Sequence, residues 1–232
     1  MAVSVCKADS VKNYPVRIVN VLGIQSLDQI DSALRKPVDM SKSGGTLELT
    51  GNSKKVKVST CQEYFDFKDK GYSADTTYDV TMESWFINAC IPLRLLKEAK
   101  PSRVSFLAGS FLADDPLKNL PLDLSLSLSS DDTKNLQAAK EKGLTWGKFI
   151  PDATVKIIDN NQIILNSAEK GSTSVDLLAF GDFNNDGIED ALVFVSHYVT
   201  DGSYRNFSIK ILTRLEKGGR IICQDIPENN HK

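Results

Sequence analysis

The chain has 232 residues, 41% hydrophobic and 25% charged, which is enough apolar content to bury a core in one large domain or two small ones. Its 28 basic and 30 acidic residues are scattered and leave a formal charge of -2, so no basic face recommends a nucleic acid or an anionic membrane surface. No apolar run approaches the roughly eighteen residues that a membrane span needs.

The opening MAVSVCKADS lacks a complete signal peptide. VSVC, ending at Cys6, is only faintly like a lipoprotein acylation site, because no hydrophobic stretch precedes it. The four cysteines, Cys6, Cys61, Cys90 and Cys223, allow three pairings, and none stands in a CxxC or other metal-like spacing. Disulfides are therefore expected ahead of zinc, with Cys61 joined to Cys90 and Cys6 to Cys223, against the alternative of buried reduced thiols. The expected location is periplasmic or extracellular, with the export signal removed.

In chain order, PVRIVNVL from Pro15 reads as a short strand. SLDQIDSALRK reads as a helix that Ser26 and Gln29 cap and Pro37 ends. TLELTGNSKKVKVSTC has two β-rich runs around Gly-Asn-Ser and predicts a hairpin. Two helical stretches follow, the second over 76–100 with Met82, Trp85, Phe86, Ala89 and Leu93 at helical spacing, and Pro92 is expected to kink or divide it.

LPLDLSLSLSS alternates Leu122, Leu124, Leu126 and Leu128 with polar residues, the pattern of a half-buried strand. A short polar helix over 131–142 comes next. ATVKIIDNNQIILNS predicts a hairpin turning at Asp159, Asn160 and Asn161. Strands are expected at 174–180, 190–199, 206–215 and 220–224, forming an antiparallel meander. The fold class is α+β, with a mixed helix and hairpin region over 1–115 and a β-rich region over 116–232, or one continuous domain.

The most informative stretch is GDFNNDGIEDALVFV, residues 181–195. Counting from Asp182, side-chain oxygens recur at positions one, three, five and nine as Asp182, Asn184, Asp186 and Asp190. Gly187 at position six permits a positive φ, and the carbonyl of Ile188 at position seven can face inward. Hard oxygens converging from a nine-residue wrap suit calcium, Ca2+, better than magnesium, which asks for a strict octahedron. It is not an EF-hand, because position twelve is Val193 and both flanks read as strands. A plain Asn-Asp-Gly turn would account for Asn185, Asp186 and Gly187, but not for Asp182 and Asp190.

These residues resemble the D-x-[DN]-x-D-G-x-x-D calcium hairpin of FG-GAP and VCBS repeats, the blades of integrin-like propellers. The resemblance implies that Asp182, Asn184, Asp186 and Asp190 bind calcium between two strands. A propeller needs several blades, whereas this chain carries one copy. It therefore looks more like small exported bacterial proteins with a single such loop, among them lysozyme inhibitors and immunity proteins against secreted toxins.

Catalytic groups are sparse. The two histidines are His197 and His231, and Ser196 beside His197 points to the opposite face of a strand, a poor nucleophile and base pair. Cross-strand packing is the expected role of His197. Asp114 with Asp115, and Asp131 with Asp132, read as helix caps and solvated surface rather than glycosidase acids. The expected function is that of a calcium-binding, non-enzymatic protein that binds or inhibits another protein, a secreted enzyme or toxin. Tyr198, Tyr204 and Arg205 supply the aromatic and arginine content of an interface. The alternative is an exported hydrolase with a structural calcium site.

Overall fold

The computed structural model describes residues 13–39, 46–107, 109–199, 205–224 and 226. Its frame is a seven-stranded antiparallel sheet with helices on both faces. Strand β1 (Arg17–Ile18) is only two residues long, not the eight that the sequence suggests. The amides of Val19 and Asn20 both turn to the carbonyl of Leu178, and the chain then reverses at Leu22 and Gly23, so the ladder cannot continue. The expected helix over 26–36 opens as a 3-10 turn, Leu27–Gln29, and α1 (Ile30–Leu34) is a short helix. Ser26 makes no side-chain cap, and Gln29 Oε1 accepts from the amide of Gln25 instead.

Strands β2 (Leu47–Gly51) and β3 (Lys54–Val58) form the predicted hairpin as a separate two-stranded sheet. Asn52 and Ser53 both have positive φ, the primed turn whose twist suits a two-residue hairpin loop. Helix α2 (Cys61–Lys68) begins on a full capping box between Thr60 and Glu63. Helix α3 (Thr77–Glu98) continues for 22 residues through Pro92, so the proline, expected to kink or divide it, does not divide it. Ile91, Pro92 and Leu93 are all buried, so tertiary packing on the sheet holds the helix together despite the lost hydrogen bond.

Between α3 and the meander lie α4 (Pro116–Asn119), α5 (Ser130–Glu141) and α6 (Trp146–Phe149). The alternating leucines do not form a strand. Leu122–Leu124 is a 3-10 turn followed by extended chain with no ladder; Leu122, Leu124 and Leu126 are buried, but so is Ser125, and Leu128 is exposed, so the expected two faces are not kept.

The meander is β4 (Thr154–Ile157), β5 (Gln162–Ser167), β6 (Gly171–Gly181), β7 (Asp190–Tyr198), β8 (Arg205–Thr213) and β9 (Ile222–Gln224), each beside its successor. Strand β5 pairs with the first part of β6, up to Asp176, and β1 takes Ala179 and Phe180 beyond it. A bulge at Leu178 adds a residue to β6.

On one face, Leu178, Leu192, Ile209 and Ile211 pack with the N-terminal hairpin and with α2 and α3. On the other, Val175, Leu177, Val193 and Val195 pack with Phe111, Leu124 and Trp146 from the 107–150 segment. That two-sided burial explains the unbroken apolar run Ala191 to Val195. Cys61 and Cys90 form a disulfide that ties the start of α2 to the middle of α3. The Cys6 to Cys223 pairing and Tyr204 involve residues outside the described ones, while Cys223 itself sits half-buried on β9.

Candidate metal centre

Residues 181–190 connect β6 to β7, and their two ends face each other in register, Gly181 opposite Asp190. The loop wraps on its own side chains. Asp182 Oδ1 accepts from the Asp186 amide at 3.1 Å and Oδ2 from the Gly187 amide at 2.9 Å. Asn184 Oδ1 accepts from the Asp186 amide at 2.9 Å, and Asp186 Oδ1 from the Ile188 amide at 2.7 Å. Asp190 Oδ2 accepts from the Phe183 amide at 3.0 Å. Gly187 has φ +84 and Asn185 φ +66, the left-handed conformations that let the chain turn back on itself.

Sequence reasoning missed the partner segment. Residues 100–105, just after α3, run along the loop: Lys100 pairs with Asp182, and the amides of Arg103 and Val104 both donate to the Gly187 carbonyl. That carbonyl is thereby committed to protein amides. Ile188 is bridged to Val104, and Asn184 Nδ2 reaches Gln224 Oε1 on β9 at 2.6 Å. The Arg103 guanidinium lies against the Gly187 Cα. No sequence spacing links residues 100–105 to 182–189; only the return of α3 to the sheet brings them together.

Glu189, a loop residue absent from the expected ligand set, is buried. Its Oε1 accepts from Arg17 Nη2 at 3.1 Å and its Oε2 from Ser105 Oγ at 2.6 Å, while the Arg17 guanidinium also covers the Phe180 ring. Removing the cation would leave a buried carboxylate half-paired. Arg17→Ala is expected to cost about 1–3 kcal/mol, below the figure for a fully buried pair because Arg17 is half exposed. Urea unfolding of Arg17→Ala, Glu189→Gln and the double variant checks this, and a coupling energy near zero would contradict it.

Asp190 is the least satisfied group of the loop. It is wholly buried, and Oδ1 has no hydrogen-bond partner. Burial pushes its carboxyl up to about 7, against the lowering effect of the Phe183 amide. Directly opposite in the β7–β8 register stands Thr213, also wholly buried, with an Oγ1 that makes no hydrogen bond. Opposed residues of an antiparallel pair project to the same face. Thr213 is near enough to Asp190 to lower its pKa somewhat, yet the two miss hydrogen-bond geometry. Ser102 Oγ, on the crossing segment, is likewise buried with no partner.

Among the described residues, no three His, Cys, Asp or Glu side chains are grouped closely enough to hold a metal ion. The five expected ligands, Asp182, Asn184, Asp186, Asp190 and the Ile188 carbonyl, share one loop, and each of the four side chains has an oxygen turned on a backbone amide. Three further oxygen-bearing side chains, Glu189 within the loop and Thr213 and Ser102 from other segments, are buried in the same region of the fold.

The other end of β7 carries the proposed contact residues. Tyr198 is exposed, Arg205 lies over its ring, and Phe207 links it to Phe194 and Trp85. At the usual strand rise the nine-residue β7 separates Tyr198 from Asp190 by roughly 27 Å. His197 is buried, and its Nδ1 is 3.0 Å from Thr173 Oγ1, its partner in register, so it packs across the β6–β7 ladder as expected.

Burial, with a smaller contribution from Lys210, lowers the His197 pKa to about 4. The folded value lies below the unfolded one, so the unfolded chain takes up the proton first and stability falls as pH drops from about 6.5 to 4. Between pH 7 and 5 the loss is about 2 kcal/mol. Chemical unfolding of wild type and His197→Gln across that range checks it; equal pH slopes would rule the histidine out.

No protein-family model matches this chain, and no curated protein and no solved structure matches it. Among the described residues no helix is long and apolar enough to cross a membrane.

Proposed function

We propose that this is an exported, calcium-stabilised protein without enzymatic activity, whose surface binds and blocks another protein. The observation that carries the ion is the wholly buried Asp190 carboxyl, whose Oδ1 has no hydrogen-bond partner, opposite in register to Thr213 with its equally unpartnered hydroxyl. Burial disfavours the ionised form of this carboxyl and leaves Oδ1 unpartnered, and a hard cation beside it would stabilise the carboxylate as its counter-charge. Asp182, Asn184, Asp186 and Asp190 are the residues that would hold it, consistent with the resemblance of this loop to integrin-type calcium hairpins. The ion would supply charge neutralisation and pin β6 to β7.

The disulfide between α2 and α3 favours an oxidising compartment, which supports export. Tyr198 and Arg205, stacked at the far end of the sheet from the loop, have the composition of an interface anchor. His197 is buried against Thr173, which removes it as a surface base and supports a binding role over catalysis. Calorimetric titration of the full chain with calcium tests the reading. One ion per chain is expected, with no heat from Asp190→Asn. The binding half is tested by adding excess protein to a lysozyme-like wall hydrolase: inhibition is expected, and is relieved by Tyr198→Ala with Arg205→Ala. Absence of calcium heat in the wild type would end the metal assignment whatever the inhibition result.

A further inference from the structure

A second site lies away from the loop, on the N-terminal face of the sheet. A cavity of about 610 Å³ opens between α1 with its preceding turn, α3, and Phe194 of β7. A smaller cavity of about 180 Å³ shares Leu22, Asn88, Ala89 and Phe194 with it and reaches Pro92 and Leu178. The larger volume lies within the range of small-molecule sites. Its space exists because alanines, Ala33 on α1 and Ala89 on α3, stand where larger side chains would close the gap between the helices.

The walls are mainly apolar and aromatic, with Ile24, Val38, Trp85 and Phe194. Gln29, Ser32 and Asn88 add neutral polar groups, and Asn88 is the one that both cavities share. Its Nδ2 donates to the Ser84 carbonyl at 2.8 Å, while its Oδ1 is buried and has no hydrogen-bond partner. The Asn88 main-chain carbonyl would ordinarily accept from the residue four positions on, and that residue is Pro92, which has no N–H. Asn88 Oδ1 is thus a buried acceptor without a donor at the junction of two cavities, one turn before the proline that cannot return the usual helical hydrogen bond. Buried acceptors without donors are rare in native proteins and ask for a partner.

The rim adds an independent sign. Leu22 is held at φ +43, a conformation unfavourable for a branched side chain, and stands 58% exposed at the mouth. Strained backbone and a solvent-exposed leucine beside a cavity are features of binding sites. One lysine, Lys36, and one aspartate, Asp39, line the opening, so its charge selects neither anions nor cations.

We infer that this cavity is a binding site for a small, neutral, largely apolar molecule carrying one hydrogen-bond donor, a phenol or alcohol, that reaches Asn88. The flat body lies against Trp85 and Phe194, and the donor meets the unpartnered Oδ1 of Asn88. This site is independent of the calcium loop and of the protein-binding reading.

The test uses 2-naphthol and 2-methoxynaphthalene, which share a ring system and differ in the donor. Calorimetry on the full chain is expected to show 2-naphthol binding one to one, with the methoxy analogue at least tenfold weaker. Ala89→Leu, with its fold checked by thermal melt, abolishes binding, and Ala33→Phe does the same from the opposite helix. Asn88→Leu brings the two probes to within about twofold of each other. The assignment is overturned if wild type binds neither probe at millimolar concentration, if it does not discriminate between them, or if both cavity-filling variants bind 2-naphthol unchanged.

Discussion

Replacing Cys61 and Cys90 together by alanine is expected to lower the melting temperature by roughly 7–15 °C. The bridge closes 29 residues between α2 and α3. On the chain-entropy model a loop of that size restricts the unfolded chain by roughly 3–4 kcal/mol, and a domain above 150 residues loses a few degrees for each kcal/mol. Alanine is preferred to serine because both sulfurs are buried, and a hydroxyl there would be unsatisfied. The span it closes contains both Tyr64 and Phe86, which pack together in the N-terminal core, so its loss loosens the helical layer before the sheet. Differential scanning calorimetry of the double variant, with wild type under reducing and oxidising conditions, measures the effect. A shift below about 2 °C would mean that the bridge adds little beyond the surrounding packing.

Millimolar calcium is expected to raise the melting temperature of the wild type and leave Asp186→Ala unmoved. At a hundred times its dissociation constant a ligand that binds the folded state alone adds about 2.7 kcal/mol, which is roughly 5–10 °C for a chain of this size. Asp186 is the informative position because it is exposed, so its loss opens no cavity and leaves Asp182 and Asp190 in place. Thr213→Val is a second probe. If the threonine hydroxyl completes the site, this isosteric change weakens the calcium response, whereas a hydroxyl that is merely buried gives a variant with an unchanged response. Melts with excess chelator set the baseline. Should neither protein respond, residues 182–190 are a polar hairpin turn, held by the amides that already satisfy Asp182 and Asp186.

The location of Tyr198 and Arg205 bears on both readings. Tyr198 ends β7 and Arg205 opens β8 beside it, both remote from Asp190, so under the proposed function a calcium ion in the loop would influence a partner only through the β6–β7 ladder. The apolar cavity lies on the helical face between these ends, lined by Trp85 and Phe194, whose rings belong to the same aromatic chain as Tyr198.

Local signals were legible where a short stretch decides its own geometry. Asn52 and Ser53 form the turn that Gly-Asn-Ser implied, the C-terminal strands appear in order, and Cys61 meets Cys90 as expected. The α+β class follows from the same periodicities. Signals misled where tertiary contact outweighed local preference. Pro92 leaves α3 unbroken because burial of its neighbours holds the helix, and the alternating leucines at 122–126 are buried without finding a strand to pair with.

By itself, then, the sequence determined a meander with one acidic loop at the β6–β7 turn, since strand periodicity and turn chemistry are set within a few residues. What surrounds that loop was decided by the tertiary structure alone. The 100–105 segment crossing it, Thr213 opposite Asp190, Arg17 on Glu189 and the cavity at Asn88 all join residues distant in the chain. Such contacts depend on how two helical layers close over one sheet, and no local pattern encodes that closure.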